Sequence, residues 1–210
     1  RYHYGNRPYP WGDGVGLGVM LRHIRPRRFV EIGSGWSTLA TLDISEHFLD
    51  GEVDITTVDP YPRRLRALLG EQLPPRLRLV ERPVQDIDPI DLVGGLSAGD
   101  VVFVDSTHVV KTGSDVNHIV FELFPRLAPG VHVHVHDLFP GFEYPRAWVL
   151  QGRAWSEAYL LRAFLMFNDA FEVTFWLSLL AARRPDWFAA TWPAVMRNPG
   201  GSIWLTRRNP

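Results

Sequence analysis

The sequence predicts an α/β protein built on a doubly wound, mostly parallel sheet with helices on both faces. Two observations carry this. Short apolar runs alternate with longer amphipathic ones, the pattern of repeated βαβ units. The first apolar run also ends in a glycine turn that opens a helix, as at the first crevice of doubly wound folds.

Five runs read as strands: Phe29 to Ile32, Ile55 to Val58, Leu77 to Val80, Val101 to Val104 and Val131 to Val135. Helices are expected over Thr38 to Phe48, Arg63 to Leu69 and Val116 to Leu127, the last closed by Pro125 and by Pro129-Gly130. Asp86 to Leu96 reads as a short helix. Beyond Asp137 the composition changes. Phe139 to Pro145 is a loop rich in Pro, Gly and aromatics, and Trp148 to Phe167 is a helix. Phe171 to Leu177 and Ser202 to Leu205 make a sixth and a seventh strand, separated by a long connection containing Pro185, Pro193 and Pro199. One domain is expected over 1–210, with an N-terminal arm or helix over 1–26, a cofactor-binding core over 27–137, and a substrate-facing loop, helix and closing strands over 138–210. The arm, with Tyr2, Tyr4, Tyr9 and Trp11, suits either a cover for the cofactor or a loop against the sheet edge.

Composition narrows the function. Lys and Arg number 22 against 23 Asp and Glu, a formal charge of −1, which lacks the basic footprint of a nucleic-acid binder. The absence of cysteine removes thiolate chemistry and makes a cytoplasmic setting the default. Phe164 to Ala182 is broken by Asn168, Asp169 and Glu172, so no membrane span is expected. The first residue is Arg1 rather than Met, and a preceding segment is expected to have been trimmed. A homo-oligomer is compatible with all of this.

The densest signal is Val30-Glu31-Ile32-Gly33-Ser34-Gly35-Trp36-Ser37-Thr38. Glycine allows a tight turn and close approach of the backbone to a ligand. Ser37 or Thr38 can cap the helix that follows. The dinucleotide fingerprint wants a small residue where Thr38 stands, which weighs against a tightly seated pyrophosphate. Glu31 suits the cationic end of a ligand. Asp59 follows Gly35 by 24 residues, near the ~20-residue offset at which an acid meets ribose hydroxyls. Gln85 and Asp86, after the third strand, stand where an adenine amino group could be read.

Glu31-Ile32-Gly33-Ser34-Gly35, then Asp59, then Val104-Asp105, resemble the class I S-adenosylmethionine-dependent methyltransferases. The resemblance implies a Rossmann-like seven-stranded sheet with an antiparallel last strand inserted between the fifth and sixth. It also implies that Glu31, Gly33 and Gly35 hold the methionine end and Asp59 the ribose. Asp105-Ser106-Thr107-His108, Gly113-Ser114-Asp115-Val116-Asn117 and His136-Asp137 are similar to a bacterial small-molecule branch. Its members act on sugars, macrolides and other secondary metabolites, often as O-methyltransferases, and some bind magnesium. Metal-dependent members carry acidic or amide pairs where this chain has His136-Asp137.

Asp105 ends the fourth strand at the edge where open α/β sheets bind ligands, and is expected to touch the cofactor. His108 could act as general base near neutral pH, with Asp105 and His136 beside it. Asp105 and Asp137 end neighbouring strands, so two carboxylates converge and could recruit magnesium. His132, His134 and His136 share one strand face. The outer two lie ~13 Å apart, too far for one ion, which leaves His136 as the functional member. Phe142, Tyr144 and Trp148 are expected to wall a flat or apolar acceptor. The leading reading is methyl transfer to a small-molecule hydroxyl. The alternatives are an NAD(P)-dependent oxidoreductase and a non-catalytic binding module with a methyltransferase fold.

Overall fold

A computed structural model describes residues 1–209. Seven strands form one sheet: β1 (Arg28–Ile32), β2 (Asp54–Val58), β3 (Leu77–Val80), β4 (Val101–Val104), β5 (His132–His136), β6 (Phe171–Phe175) and β7 (Ser202–Arg207). Their order is β3-β2-β1-β4-β5-β7-β6, parallel from β3 to β5, with β7 antiparallel to both neighbours. The expected seven-stranded sheet, with its reversed strand between the fifth and sixth, is present. The chain leaves β1 for β2 on one side and returns to β4 on the other, so a crevice opens at the carboxyl ends of β1 and β4.

The two sheet faces bury different residues because side chains alternate along each strand. Val30, Ile32, Val102, Val104, Val133 and Val135 share one core with Val93 of α4 (Pro89–Val93) and Leu161 of α7 (Glu157–Leu165). Phe29, Ile55, Val101 and Phe103 share the other with Leu17 and Leu21 of α1 (Trp11–Ile24), Leu39 of α2 (Trp36–Phe48) and Leu65 of α3 (Arg63–Leu69). His134 belongs to this second face. It is fully buried and lies flat against Phe103, ring centroids 4.1 Å apart. Burial pushes its pKa well down, so it packs as a neutral aromatic ring.

Several boundaries differ from the sequence reading. The N-terminal segment is half helix, because α1 begins at Trp11. The start of the arm lies on α2, where the Arg1 guanidinium pairs with Asp43 at 2.7 Å and His3 packs edge-on against Trp36, while Tyr9 packs on Phe103 and His136 of the sheet. The helix expected over Val116 to Leu127 starts at α5 (Asp115–His118), where the Ser114 side chain accepts from Asn117 N–H, then widens over Ile119–Leu123 and tightens over Phe124–Arg126, around Pro125. The single helix expected over Trp148 to Phe167 is two, α6 (Arg146–Leu150) and α7, with Gly152 at φ +84° between them. The long connection after β6 folds into three short helices, α8 (Leu177–Arg183), α9 (Pro185–Thr191) and α10 (Pro193–Arg197). Among the described residues no helix is long and apolar enough to cross a membrane.

Candidate active site

The β1 turn fixes the first half of the site. Gly33 has φ +94°, and a Cβ there would lie 1.9 Å from the Asp105 carbonyl oxygen, so the turn and the end of β4 can close only on glycine. Asp59 ties the next residue down: its Oδ2 accepts from Ser34 Oγ at 2.6 Å and from Ser34 N–H at 3.2 Å. Its Oδ1 accepts from Tyr61 N–H at 2.8 Å. Gly33, Ser34, Asp59, Gln85 and Asp105 line a cavity of about 680 Å³ at the crevice, within the usual ~300–1,000 Å³ of small-molecule sites. Gln85 is held there by a bond from Nε2 to the Gly113 carbonyl, 3.1 Å.

Other residues expected at the cofactor stand behind it. Glu31 is fully buried, and its two oxygens accept from Ser37 and Thr38, each at 2.6 Å. These three side chains lock the start of α2 to β1 and do not line the cavity, because Glu31 is on the β1 face that α2 covers. Burial outweighs the hydrogen bonds and pushes the Glu31 carboxyl up to about 7. Gly35 (φ +155°) makes the N-terminal turn of α2, under the Arg64 side chain. Asp86 is exposed and does not line the cavity, while its neighbour Gln85 does.

A second cavity of about 470 Å³ adjoins the first and shares Arg64, Asp105, Ser106 and Thr107 with it. Its floor is ionisable. His108 Nε2 lies 3.3 Å from Asp105 Oδ1 and 3.7 Å from Asp137 Oδ2. The other ring nitrogen, Nδ1, is 2.8 Å from Glu157 Oε2, and both side chains are buried. His136 Nε2 lies 3.6 Å from Asp137 Oδ1, and its Nδ1 lies 3.9 Å from Asp13 Oδ1. The break between α6 and α7 makes this convergence possible. The N–H groups of Ser156 and Glu157 both donate to the His108 carbonyl, at 2.9 and 3.2 Å, which sets Glu157 against the imidazole.

His108 and Asp137 are non-glycine residues in the left-handed region, with φ of +59° and +55°. Such backbone costs ~1–3 kcal/mol per residue and concentrates at functional sites. Four carboxylates (Asp13, Asp105, Asp137, Glu157) face two imidazoles here, so an excess of negative charge remains even with both rings protonated. Burial alone lowers the His108 pKa, but its bonds to Asp105 and Glu157 outweigh that and lift it to about 10. Burial would raise Asp105, yet His136 and His108 hold it below the ordinary carboxylate range. Asp13, hydrogen-bonded by Gly201 N–H at 3.0 Å, is pushed up to about 6, mainly by burial. Asp105, His108 and Asp137 present donor atoms within 4.8 Å of one another, a spacing that one cation could span.

Of the expected acceptor wall, Trp148 lines the second cavity. Phe142 and Tyr144 do not. Phe142 packs edge-on against Trp176 at 5.1 Å, and the Tyr144 hydroxyl accepts from Ala158 N–H at 3.0 Å inside the core. The loop turns these two rings onto Trp176 and α7, while Phe139 of the same loop faces the cavity beside Trp148. Asp13, Arg64, Arg153, Trp155 and Glu157 line or brace the site without having been expected there. A Ser156-Glu157 helix start was a readable signal for one of them; the rest arrive from distant segments.

A family model described as a methyltransferase domain (Methyltransf_24) matches residues 30–138, just over half of the chain. The fold is similar to that of TomG from Streptomyces achromogenes, an O-methyltransferase of tomaymycin synthesis solved with SAM. The identity is 18% and the TM-score 0.58, over 93% of this chain and 79% of that one. It is similar also to SAH-bound PaMTH1, a methyltransferase of Podospora anserina, at 16% identity and TM-score 0.54 over 93% and 78% of the chains. A CmcI structure with Mg and SAM aligns at 17% identity and TM-score 0.53, over 100% and 77%. An uncharacterized protein of Archaeoglobus fulgidus is 33% identical over 89 residues, 41% of this chain. The chain thus aligns with 39% of the length of that curated relative.

Proposed function

The chain belongs to this methyltransferase-domain family, and from that premise we propose that it is an S-adenosylmethionine-dependent methyltransferase acting on a hydroxyl of a small-molecule acceptor. The observation that carries the reading is the pair of adjoining cavities, one ending in Gly33, Ser34 and Asp59, the other floored by His108, that meet at Asp105 to Thr107.

S-adenosylmethionine supplies a methyl group activated on a sulfonium. The residues of the first cavity fit it. The main chain at Gly33-Ser34 allows close approach, Asp59 retains a lone pair on Oδ1 for a ribose hydroxyl, and Gln85 offers an amide to the base. Holding donor and acceptor on either side of Asp105 supplies the alignment that an in-line displacement needs.

In the second cavity His108 Nε2 receives the acceptor's proton as the oxygen attacks. Glu157 holds the ring in one tautomer, with Nδ1 as donor, and stabilises the imidazolium that results. Asp105 and Asp137 are hard oxygen donors at the mouth of the cavity and fit magnesium, which would lower the pKa of a coordinated hydroxyl. A cation held by Asp105 and Asp137 would compete with His108 for those carboxylates and so favour the neutral ring that accepts a proton. His136 keeps Asp137 oriented from the strand side.

The test is turnover with radiolabelled methyl donor across small hydroxylated acceptors, comparing the wild type with His108→Ala. Label transfer that needs His108 supports the reading. Label found only on amine acceptors would replace hydroxyl by nitrogen.

A further inference from the structure

The second cavity carries cationic side chains that the transfer itself does not use. Arg153 sits in the corner between two indoles, its Cζ 4.2 Å from the Trp148 ring centroid and 4.8 Å from that of Trp155. The indoles meet at 5.2 Å and 80°, and Trp155 in turn packs on the His108 ring at 4.3 Å. The guanidinium is thus held by aromatic contacts, one of them to the indole that packs on His108, and these leave its N–H edge as the free recognition element. Among the described residues no carboxylate pairs with it. Asp137 feels its charge without bonding to it. Arg7 lines the same cavity from the N-terminal arm, where the Asn6 side chain fixes the turn by accepting from Tyr9 N–H at 2.7 Å and donating to Tyr9 O at 2.9 Å. Arg7 has no acidic partner among the described residues either.

The cavity therefore carries both charges: carboxylates at Asp13, Asp105 and Asp137, guanidinium groups at Arg153 and Arg7, a third at Arg64 on the border with the first cavity, and the indoles of Trp148 and Trp155. A neutral, flat acceptor leaves both arginines unanswered. We propose that the acceptor is an aromatic hydroxy acid, its carboxylate taken by Arg153 with Arg7 and its hydroxyl turned toward His108. This rests on the methyltransferase reading and narrows its substrate class. Charge-assisted, in-plane pairing with a carboxylate is the strong form of guanidinium recognition. With its carboxylate paired to Arg153 and Arg7, such a molecule turns its other end toward the His108 floor of the cavity.

The experiment is titration calorimetry on protein saturated with S-adenosylhomocysteine. The probes are 4-hydroxybenzoate, 3,4-dihydroxybenzoate and 4-hydroxyphenylacetate, each paired with its methyl ester. In at least one pair the acid is expected to bind about 10-fold or more tighter than the ester, as one charge-assisted pair predicts. Arg153→Ala should weaken the acid alone and erase the preference, and Arg153→Lys should restore part of it. No acid preferred over its ester, or an equal loss for acid and ester in Arg153→Ala, would overturn the proposal, the second result marking Arg153 as mere packing. Saturation with S-adenosylhomocysteine, recorded first on the same sample, separates the two levels. If it occurs and the acids show no preference, only the hydroxy-acid proposal falls; if it fails, the methyltransferase reading falls and takes the proposal with it.

Discussion

His108 Nδ1 lies 2.8 Å from Glu157 Oε2, a buried contact between residues 49 positions apart. The carboxylate fixes the tautomer that presents Nε2 to Asp105, Asp137 and the cavity. His108→Ala should lower kcat by about 10²–10⁴, the usual worth of a general base. Glu157→Gln should cost less and shift the acid limb of the kcat/KM profile to lower pH, because the ring loses one of the two carboxylates that hold it charged. An unshifted profile in Glu157→Gln would show that the carboxylate only packs.

Asp105→Asn and Asp137→Asn should each abolish stimulation by magnesium, with Asp59 and S-adenosylmethionine binding unaffected by the Asp137 change. Chelator should remove the activity of the wild type and magnesium restore it. Full turnover in chelator would remove the cation from the account. Binding of magnesium should also release protons, read as a dependence of the calorimetric heat on buffer ionisation enthalpy, since His108 gives up the partners that hold it charged.

Glu31 makes stability pH-dependent. Its carboxyl sits at about 7 in the folded chain against 4.5 unfolded, so the folded state prefers it protonated. The stability this confers is complete below pH 4.5 and is lost as pH rises through about 7. Glu31→Gln should therefore gain on the wild type across that window, by roughly 3 kcal/mol at most, less what Gln loses in bonding Ser37 and Thr38. Parallel stability curves for the two proteins from pH 4 to 8 would contradict the assignment.

Gly33→Ala tests the close approach of the β1 turn to β4. A methyl group at φ +94°, facing the Asp105 carbonyl, should cost about 2–5 kcal/mol and lower Tm accordingly. Stability within 1 kcal/mol of wild type would mean that the turn relaxes freely.

The strands were legible because their apolar runs are short and punctuated, and the β1 turn because Gly33 answers a steric demand that only glycine meets. Glu31 was located correctly in the chain but not in its contacts: a strand residue two before the turn faces the helix, so Ser37 and Thr38 claim it. The division of α6 from α7 was hidden by apolar residues that continue across Gly152, although Ser156-Glu157 is an ordinary helix start. Asp13, Arg7 and Arg153 reach the site from an arm, a helix and a loop that no local pattern connects to β4. Their convergence is a product of topology. Tyr144 and Phe142 illustrate the reverse, aromatics next to the site in sequence whose rings the core retains.

Titration calorimetry of S-adenosylmethionine into the wild type and into Asp59→Ala, with NAD as control, tests the central claim most directly. The account predicts saturable one-to-one binding to the wild type, about 10-fold or greater weakening in Asp59→Ala from loss of charge-assisted ribose contacts, and no heat from NAD. Absence of S-adenosylmethionine binding to folded wild-type protein, or a preference for NAD, would contradict it.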